Sequence, residues 1–239
     1  MVGGAPATNA SRLVAPDEAV AVLAPPSRFV GRGGEKLAAA LDRFGIELHG
    51  RRVLDAGSST GGFTDCALQA GAASVVAVDV GRGQLHQRLL TDQRVEVHER
   101  TNVRHLASGD VGPLADVVVA DLSFISLLTV LDALLGLARP GADLVWLVKP
   151  QFEAARHEVT ASRGVITDPA VWNRVLSAVC GALGERGAAI MGLMSSPLRG
   201  ADGNVEFLVH ARAPGHRQTV DPGLAHRRVA DAIAEATKP

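Results

Sequence analysis

From Arg51 onward the chain alternates short, nearly unbroken apolar runs with longer stretches whose apolar positions recur every three or four residues. The short runs read as strands covered on both faces, because a half-exposed strand would alternate apolar and polar side chains. They fall at Val53–Ala56, Ser74–Val80, Val95–Glu99, Asp116–Asp121, Asp143–Val148, Ala188–Met194 and Val205–Ala211. The periodic stretches predict helices over Gly34–Arg43, Gly62–Ala70, Leu85–Leu90, Ile125–Leu137, Pro169–Arg186 and Pro222–Ala236. Asp168 before Pro169 is a good helix start, an N-cap carboxylate followed by proline at the first helical position. Strand and helix in alternation predict an α/β domain with a mostly parallel sheet. The last two strands are joined by Ser195–Asn204, which carries Pro197, Gly200 and Gly203. That link is too short for a crossover helix, so an antiparallel hairpin is expected at a sheet edge.

Composition narrows the class of protein. With 239 residues, 47% of them hydrophobic, the chain can build one large α/β domain, placed here at 29–239. The preceding Ala/Pro-rich residues 1–28 are expected to be a flexible extension. They carry no lysine and only Arg12 and Arg28, and Pro6, Pro16, Pro25 and Pro26 interrupt them, so they do not read as a secretory signal. No apolar run is long enough to cross a bilayer, and a cytoplasmic location with no membrane partner is expected. Cys66 and Cys180 form neither a disulfide framework nor a zinc spacing and read as small buried hydrophobes in a reducing compartment. No metal is expected. The net charge of −1 gives no global basic field, so any nucleic-acid binding must come from a local patch. Tyrosine is absent and aromatics make up 3% of the chain, which argues against base stacking on an aromatic platform.

The segment Val53-Leu54-Asp55-Ala56-Gly57-Ser58-Ser59-Thr60-Gly61-Gly62 runs from an apolar strand into a helix beginning near Phe63. Glycines there allow a sharp turn and a close approach of ligand to main-chain N–H groups. The spacing Gly57-x-x-x-Gly61-Gly62, with Asp55 at the strand end, departs from the dinucleotide fingerprint. About twenty residues on, Asp79 closes the next strand, where a carboxylate can accept both ribose hydroxyls of a nucleoside-type cofactor. Together with seven strands ending in a hairpin, this favours S-adenosylmethionine over a nicotinamide cofactor.

Two charges end apolar strands: Asp121 in Val119-Ala120-Asp121 and Lys149 in Leu147-Val148-Lys149. In an open α/β sheet both face the ligand crevice at the carboxyl ends of the strands. A lysine closing so apolar a run is costly unless paired or used, and Asp121 is its natural partner. Such a lysine can take a proton or steady a developing alkoxide. Glu206, after Gly203-Asn204, and Lys36, in Arg32-Gly33-Gly34-Glu35-Lys36-Leu37, would each alone be ordinary surface charges.

Those segments, with Ala77-Val78-Asp79-Val80-Gly81, Glu99-Arg100-Thr101-Asn102, Asp121-Leu122-Ser123-Phe124-Ile125-Ser126, Val148-Lys149-Pro150-Gln151-Phe152-Glu153 and Gly203-Asn204-Val205-Glu206-Phe207, carry a resemblance. From about Phe29 to its C-terminus the chain resembles the TlyA, or haemolysin-A-type, branch of the FtsJ-like 2′-O-ribose RNA methyltransferases. The resemblance implies a Rossmann-like class I methyltransferase fold and a Lys-Asp-Lys-Glu tetrad on Lys36, Asp121, Lys149 and Glu206. Cofactor contacts are implied from Gly57 through Ser58, Ser59, Thr60, Gly61 and Gly62 to Phe63, and at Asp79, Val80, Asn102, Val103 and Asp121; Asp55 is grouped with them from its place on the strand. By this reading Lys149 helps an acceptor hydroxyl lose its proton, Asp121 orients Lys149, and Lys36 and Glu206 position the two. The implied partner is RNA, ribosomal by resemblance; a small hydroxyl-bearing acceptor is the alternative.

The chain departs from the family in three places. The family's small N-terminal RNA-binding module is not recognisable in residues 1–28. The usual lysine- and glycine-rich loop after the fifth strand reads Ala154–Gly164, and Arg82 stands where an aromatic residue is usual. Arg32, Arg100, Arg104, Arg156 and Arg163 are the basic residues available to a phosphate backbone.

Overall fold

In a computed structural model, residues 1–7, 9, 12–21, 27–200, 202–215 and 222–237 are described. All seven expected strands form, as β1 (Arg52–Ala56), β2 (Ser74–Val78), β3 (Val95–His98), β4 (Ala115–Ala120), β5 (Ala138–Val148), β6 (Ala189–Ser195) and β7 (Phe207–Arg212). They join one sheet in the order β3-β2-β1-β4-β5-β7-β6. β1 to β5 pair in parallel, while β7 runs antiparallel to both β5 and β6. The hairpin therefore forms at the sheet edge as expected, with β7 on its inner side and β6 at the rim.

Helices cover both faces. α1 (Gly33–Phe44), α2 (Gly62–Gln69) and α3 (Gln87–Leu90) lie on one; α4 (Leu127–Gly136), α7 (Pro169–Glu185) and α8 (Pro222–Ala236) lie on the other. Neighbouring strand residues point to opposite layers: Val53, Val117 and Val145 pack with Leu37 and Ala67, whereas Leu54, Val118 and Trp146 pack with Leu131 and Val175. Both faces of each central strand thus need apolar side chains, which is why these runs carry so little polar alternation.

Three stretches differ from expectation. β5 begins at Ala138, five residues before the predicted start, because Ala138 pairs with Ala115 ahead of an irregularity at Ala115/Val117 that absorbs Pro140 and Gly141. Lys149 starts a one-turn helix, α5 (Pro150–Glu153), with proline at its first position. The segment read as a loop at 154–164 contains α6 (Arg156–Ala161). There Glu158 accepts the Ala155 N–H at 3.0 Å and pairs with Arg174, contacts that a reading of local periodicity does not register. Within residues 1–28, Val2 bridges to Ala5 and Val20, and the terminal amine donates to the Ala21 carbonyl at 2.8 Å. Residues 8, 10, 11 and 22–26 of that extension lie outside the described residues.

Candidate active site

The carboxyl ends of β1, β2 and β4 converge on a cavity of 580 Å³, within the range of cofactor sites. Its walls are Gly57 and Ser59 after β1, Val78 to Gly81 with Gln84 after β2, Thr101 to Val103, and Asp121 to Ile125 after β4. The glycine loop approaches β4 closely. Gly57 has φ +85°, and a Cβ there would stand 2.6 Å from the Asp121 carbonyl oxygen, so no other residue fits without moving that backbone.

Asp79 accepts the Ser59 N–H at 2.8 Å on one carboxylate oxygen and the Gly81 N–H at 2.6 Å on the other. Each oxygen keeps a lone pair for a ribose hydroxyl. Val80, 68% exposed, and Val103 offer apolar contact for a flat base. Donor set, volume and close backbone approach all fit the nucleoside of S-adenosylmethionine. Of the cofactor residues expected, Gly57, Ser59, Asp79, Val80, Asn102, Val103 and Asp121 line the cavity. Ser58, Thr60, Gly61 and Gly62 shape the turn behind it, and Phe63 sits in the core below at 2% exposure. Asp55 is fully buried under the loop: the Thr64 hydroxyl donates to it at 2.6 Å, and its other oxygen has no partner. Burial raises its carboxyl to about 7, the Thr64 hydrogen bonds opposing, and the negative charge of Asp121 adds to the rise.

The four tetrad residues form two cation–carboxylate pairs. Lys149, immediately beyond β5, stands with its Nζ 2.6 Å from Asp121 Oδ1 and donates to Ser123 Oγ at 2.9 Å. Lys36, in the first turns of α1, pairs with Glu206, which immediately precedes β7; both are buried. A Cβ on Gly33 would lie 3.6 Å from Asp121 Oδ2, so the start of α1 abuts the first pair. The positive end of that helix favours a carboxylate there. Glu206 is held by the loop between β6 and β7. The Ser196 N–H donates to its carbonyl at 2.8 Å, and Gly200 passes so close that a Cβ would meet Glu206 Oε1 at 2.7 Å. The neighbouring Asn204 bridges the Ile166 N–H and the Gly164 carbonyl, each at 2.9 Å, and ties this loop to the segment before α7.

Other residues at the mouth were not singled out from the sequence. Ser123 is the second partner of Lys149. Phe124 is 92% exposed with φ +63°, and its ring lies 5.3 Å from that of Phe152. Lys149 Nζ is 5.8 Å from the Phe152 ring centre. Two of the chain's few aromatics thus stand together at this place. Position in Asp121-Leu122-Ser123-Phe124 was the available signal for both Ser123 and Phe124.

Among the described residues no helix is long and apolar enough to cross a membrane, and no group of His, Cys, Asp and Glu could hold a metal ion. Comparison with known proteins places the chain in a family. The 16S/23S rRNA (cytidine-2′-O)-methyltransferase TlyA of Mycobacterium tuberculosis is 46% identical over 234 residues, covering 96% of this chain and 87% of that protein. Hemolysin A of Brachyspira hyodysenteriae is 37% identical, over 77% of this chain and 76% of its own. The solved structure of a candidate hemolysin from Streptococcus thermophilus superposes with a TM-score of 0.81 at 38% identity, covering 89% of this chain and 77% of that one. Residues 29–213 match the FtsJ-like methyltransferase family. The chain belongs to the FtsJ-like methyltransferases, and S-adenosylmethionine is its methyl donor.

Proposed function

We propose that the chain methylates a ribose 2′-hydroxyl of ribosomal RNA, with Lys36, Asp121, Lys149 and Glu206 as the working side chains. The observation that carries this reading is the Lys149–Asp121 pair, whose carboxylate lines the cofactor cavity, with a second, buried lysine–carboxylate pair between Lys36 and Glu206, in a chain so similar to the M. tuberculosis enzyme. Bound S-adenosylmethionine supplies an electrophilic methyl group, so what the chain must add is alignment, exclusion of water and help for the departing proton. Lys149, held between Asp121 and Ser123, points a donor at the acceptor oxygen and stabilises negative charge growing there. Asp121 keeps the ammonium oriented. Lys36 and Glu206 hold the ribose from the α1 side, their mutual pairing keeping both charges in place while the cleft is desolvated. Phe124 and Phe152 give the attached base an aromatic face at the mouth.

Tritiated-methyl transfer to isolated ribosomal subunits tests the proposal. Expected is incorporation that maps to ribose, falls on the order of 10²-fold or more in Lys149→Met, and declines steeply with salt. Cofactor binding without incorporation into either subunit overturns the assignment of ribosomal RNA.

A further inference from the structure

Glu153 is half-buried, carries no assigned role and lies four residues after Lys149 on α5. Its two oxygens leave that helix for the start of α4. Oε1 accepts the Leu127 N–H at 2.6 Å, and Oε2 accepts the Ser126 hydroxyl at 2.5 Å. Ser126 is also the N-cap of α4, accepting the Leu128 N–H at 3.1 Å. A carboxylate suits a helix N-terminus, where N–H groups lack partners and the peptide dipoles leave positive charge. Ser126 already caps the Leu128 N–H, so what Glu153 adds at the helix start is a partner for the Leu127 N–H.

The positions of the two cross-links make the difference. Asp121 and Ser126 bound the loop between β4 and α4, five residues apart; Lys149 and Glu153 bound α5. The Lys149–Asp121 pair joins the segments at one end, and Glu153 with Ser126 and Leu127 joins them at the other. The two segments therefore form a closed ring. Inside it lie Ser123, which accepts from Lys149, and the Phe124–Phe152 pair. Without the Glu153 link, the only polar side-chain tie among the described residues from this loop to the segment after β5 runs through the Lys149 cation it is meant to position, its other anchors being the Asp121 N–H on the Ala56 carbonyl and the packing of Leu122 and Ile125. Phe124 makes that matter, since its left-handed backbone at φ +63° is strained for a bulky residue and holds only where its surroundings impose it.

We propose that Glu153 is a positioning residue for methyl transfer, fixing the Asp121–Ser126 loop so that Ser123 and Asp121 aim the Lys149 ammonium. The inference rests on the role of Lys149 proposed above. Glu153 itself lies outside the cofactor cavity, but the loop it fixes forms one of several cavity walls, so its loss should slow the chemical step far more than it weakens donor binding.

Full-length wild type, Glu153→Ala and Glu153→Gln are compared by single-turnover methyl transfer, by calorimetric titration with S-adenosylmethionine and by the ¹H–¹⁵N signal of the Lys149 ammonium. Glu153→Ala is expected to lose on the order of 10²-fold in single-turnover rate at saturating donor, as a displaced catalytic group does, with a much smaller loss of donor affinity. Glu153→Gln, which can still accept the Leu127 N–H, recovers most of the rate. The double variant Ser123→Ala/Glu153→Ala should be no slower than the slower single, because both changes act through Lys149. Should Glu153→Ala fail to fold, Ser126→Ala removes one of the two links, and a rate loss well in excess of any loss of donor affinity is expected. Wild-type rates in either alanine variant, an unmoved Lys149 signal, or multiplying losses in the double variant each overturn the inference. If wild type transfers nothing to ribosomal RNA, the proposed function fails, while the Lys149 signal still decides the role of Glu153.

Discussion

Asp55 offers a test that separates structural burden from cofactor contact. Its carboxyl is wholly buried, one oxygen bonded to Thr64 and the other without a partner. Desolvation by burial is the main reason it rises from the ordinary 3.8 to about 7. In the unfolded chain the group ionises near 3.8, so between there and neutrality the native state holds a proton that the unfolded state has lost. The contribution to stability is complete below pH 3.8 and is lost as pH climbs through about 7. At 1.36 kcal/mol per pH unit the loss amounts to about 4 kcal/mol at most. Asp55→Asn keeps the shape and can still accept from Thr64, yet it never ionises. Urea unfolding of both proteins at intervals from pH 4.5 to 8 should show the variant gaining on wild type by about 3 kcal/mol across that window, the gain levelling off above about pH 7. Parallel stability curves would refute the argument, since they would mean that Asp55 ionises as easily folded as unfolded. The same variant titrated with S-adenosylmethionine at pH 8 should bind as wild type does, because Asp55 does not line the cavity. Lost affinity at full stability would instead restore the direct contact suggested by its place in the loop.

Two further outcomes follow from the site. Glu206→Ala strands the buried Lys36 ammonium and should cost about 3 kcal/mol by chemical denaturation, whereas Lys36→Met/Glu206→Met regains most of that while remaining inactive; a cost below about 0.5 kcal/mol would mean that the pair is solvated. Phe124→Gly relieves about 1 kcal/mol of backbone strain and gives up a ring contact of similar size, so its melting temperature should stay near wild type. Its KM for RNA should rise about tenfold or more if a base stacks there, and an unchanged KM would remove Phe124 from acceptor recognition.

What could be read from the chain alone divides by the range of the contacts involved. The strands were legible because burial on both faces writes an apolar residue at nearly every position, and α7 because Asp168 and Pro169 mark its start locally. The Lys149–Asp121 pair was legible for a related reason: two charges ending neighbouring apolar strands must meet at the crevice. Lys36 and Glu206 stand 170 residues apart, and only resemblance brought them together before the fold did. Ser123 and Glu153 stand in segments that carry the resemblance, but no local pattern assigned either of them a role. Each acts across the loops that follow β4 and β5, whose shapes come from mutual contact rather than from periodicity. Aromatic content is a different kind of signal. A count of six phenylalanines limits how many rings can serve a site, but not where the fold puts them. Two meet at the mouth of the cleft, and one of them is exposed in a backbone conformation that a bulky side chain resists. An exposed ring gains little from burial and here bears a strained backbone as well. Neither is a feature that stability alone would retain, and the KM of Phe124→Gly for RNA is the measurement that tells whether the acceptor uses it.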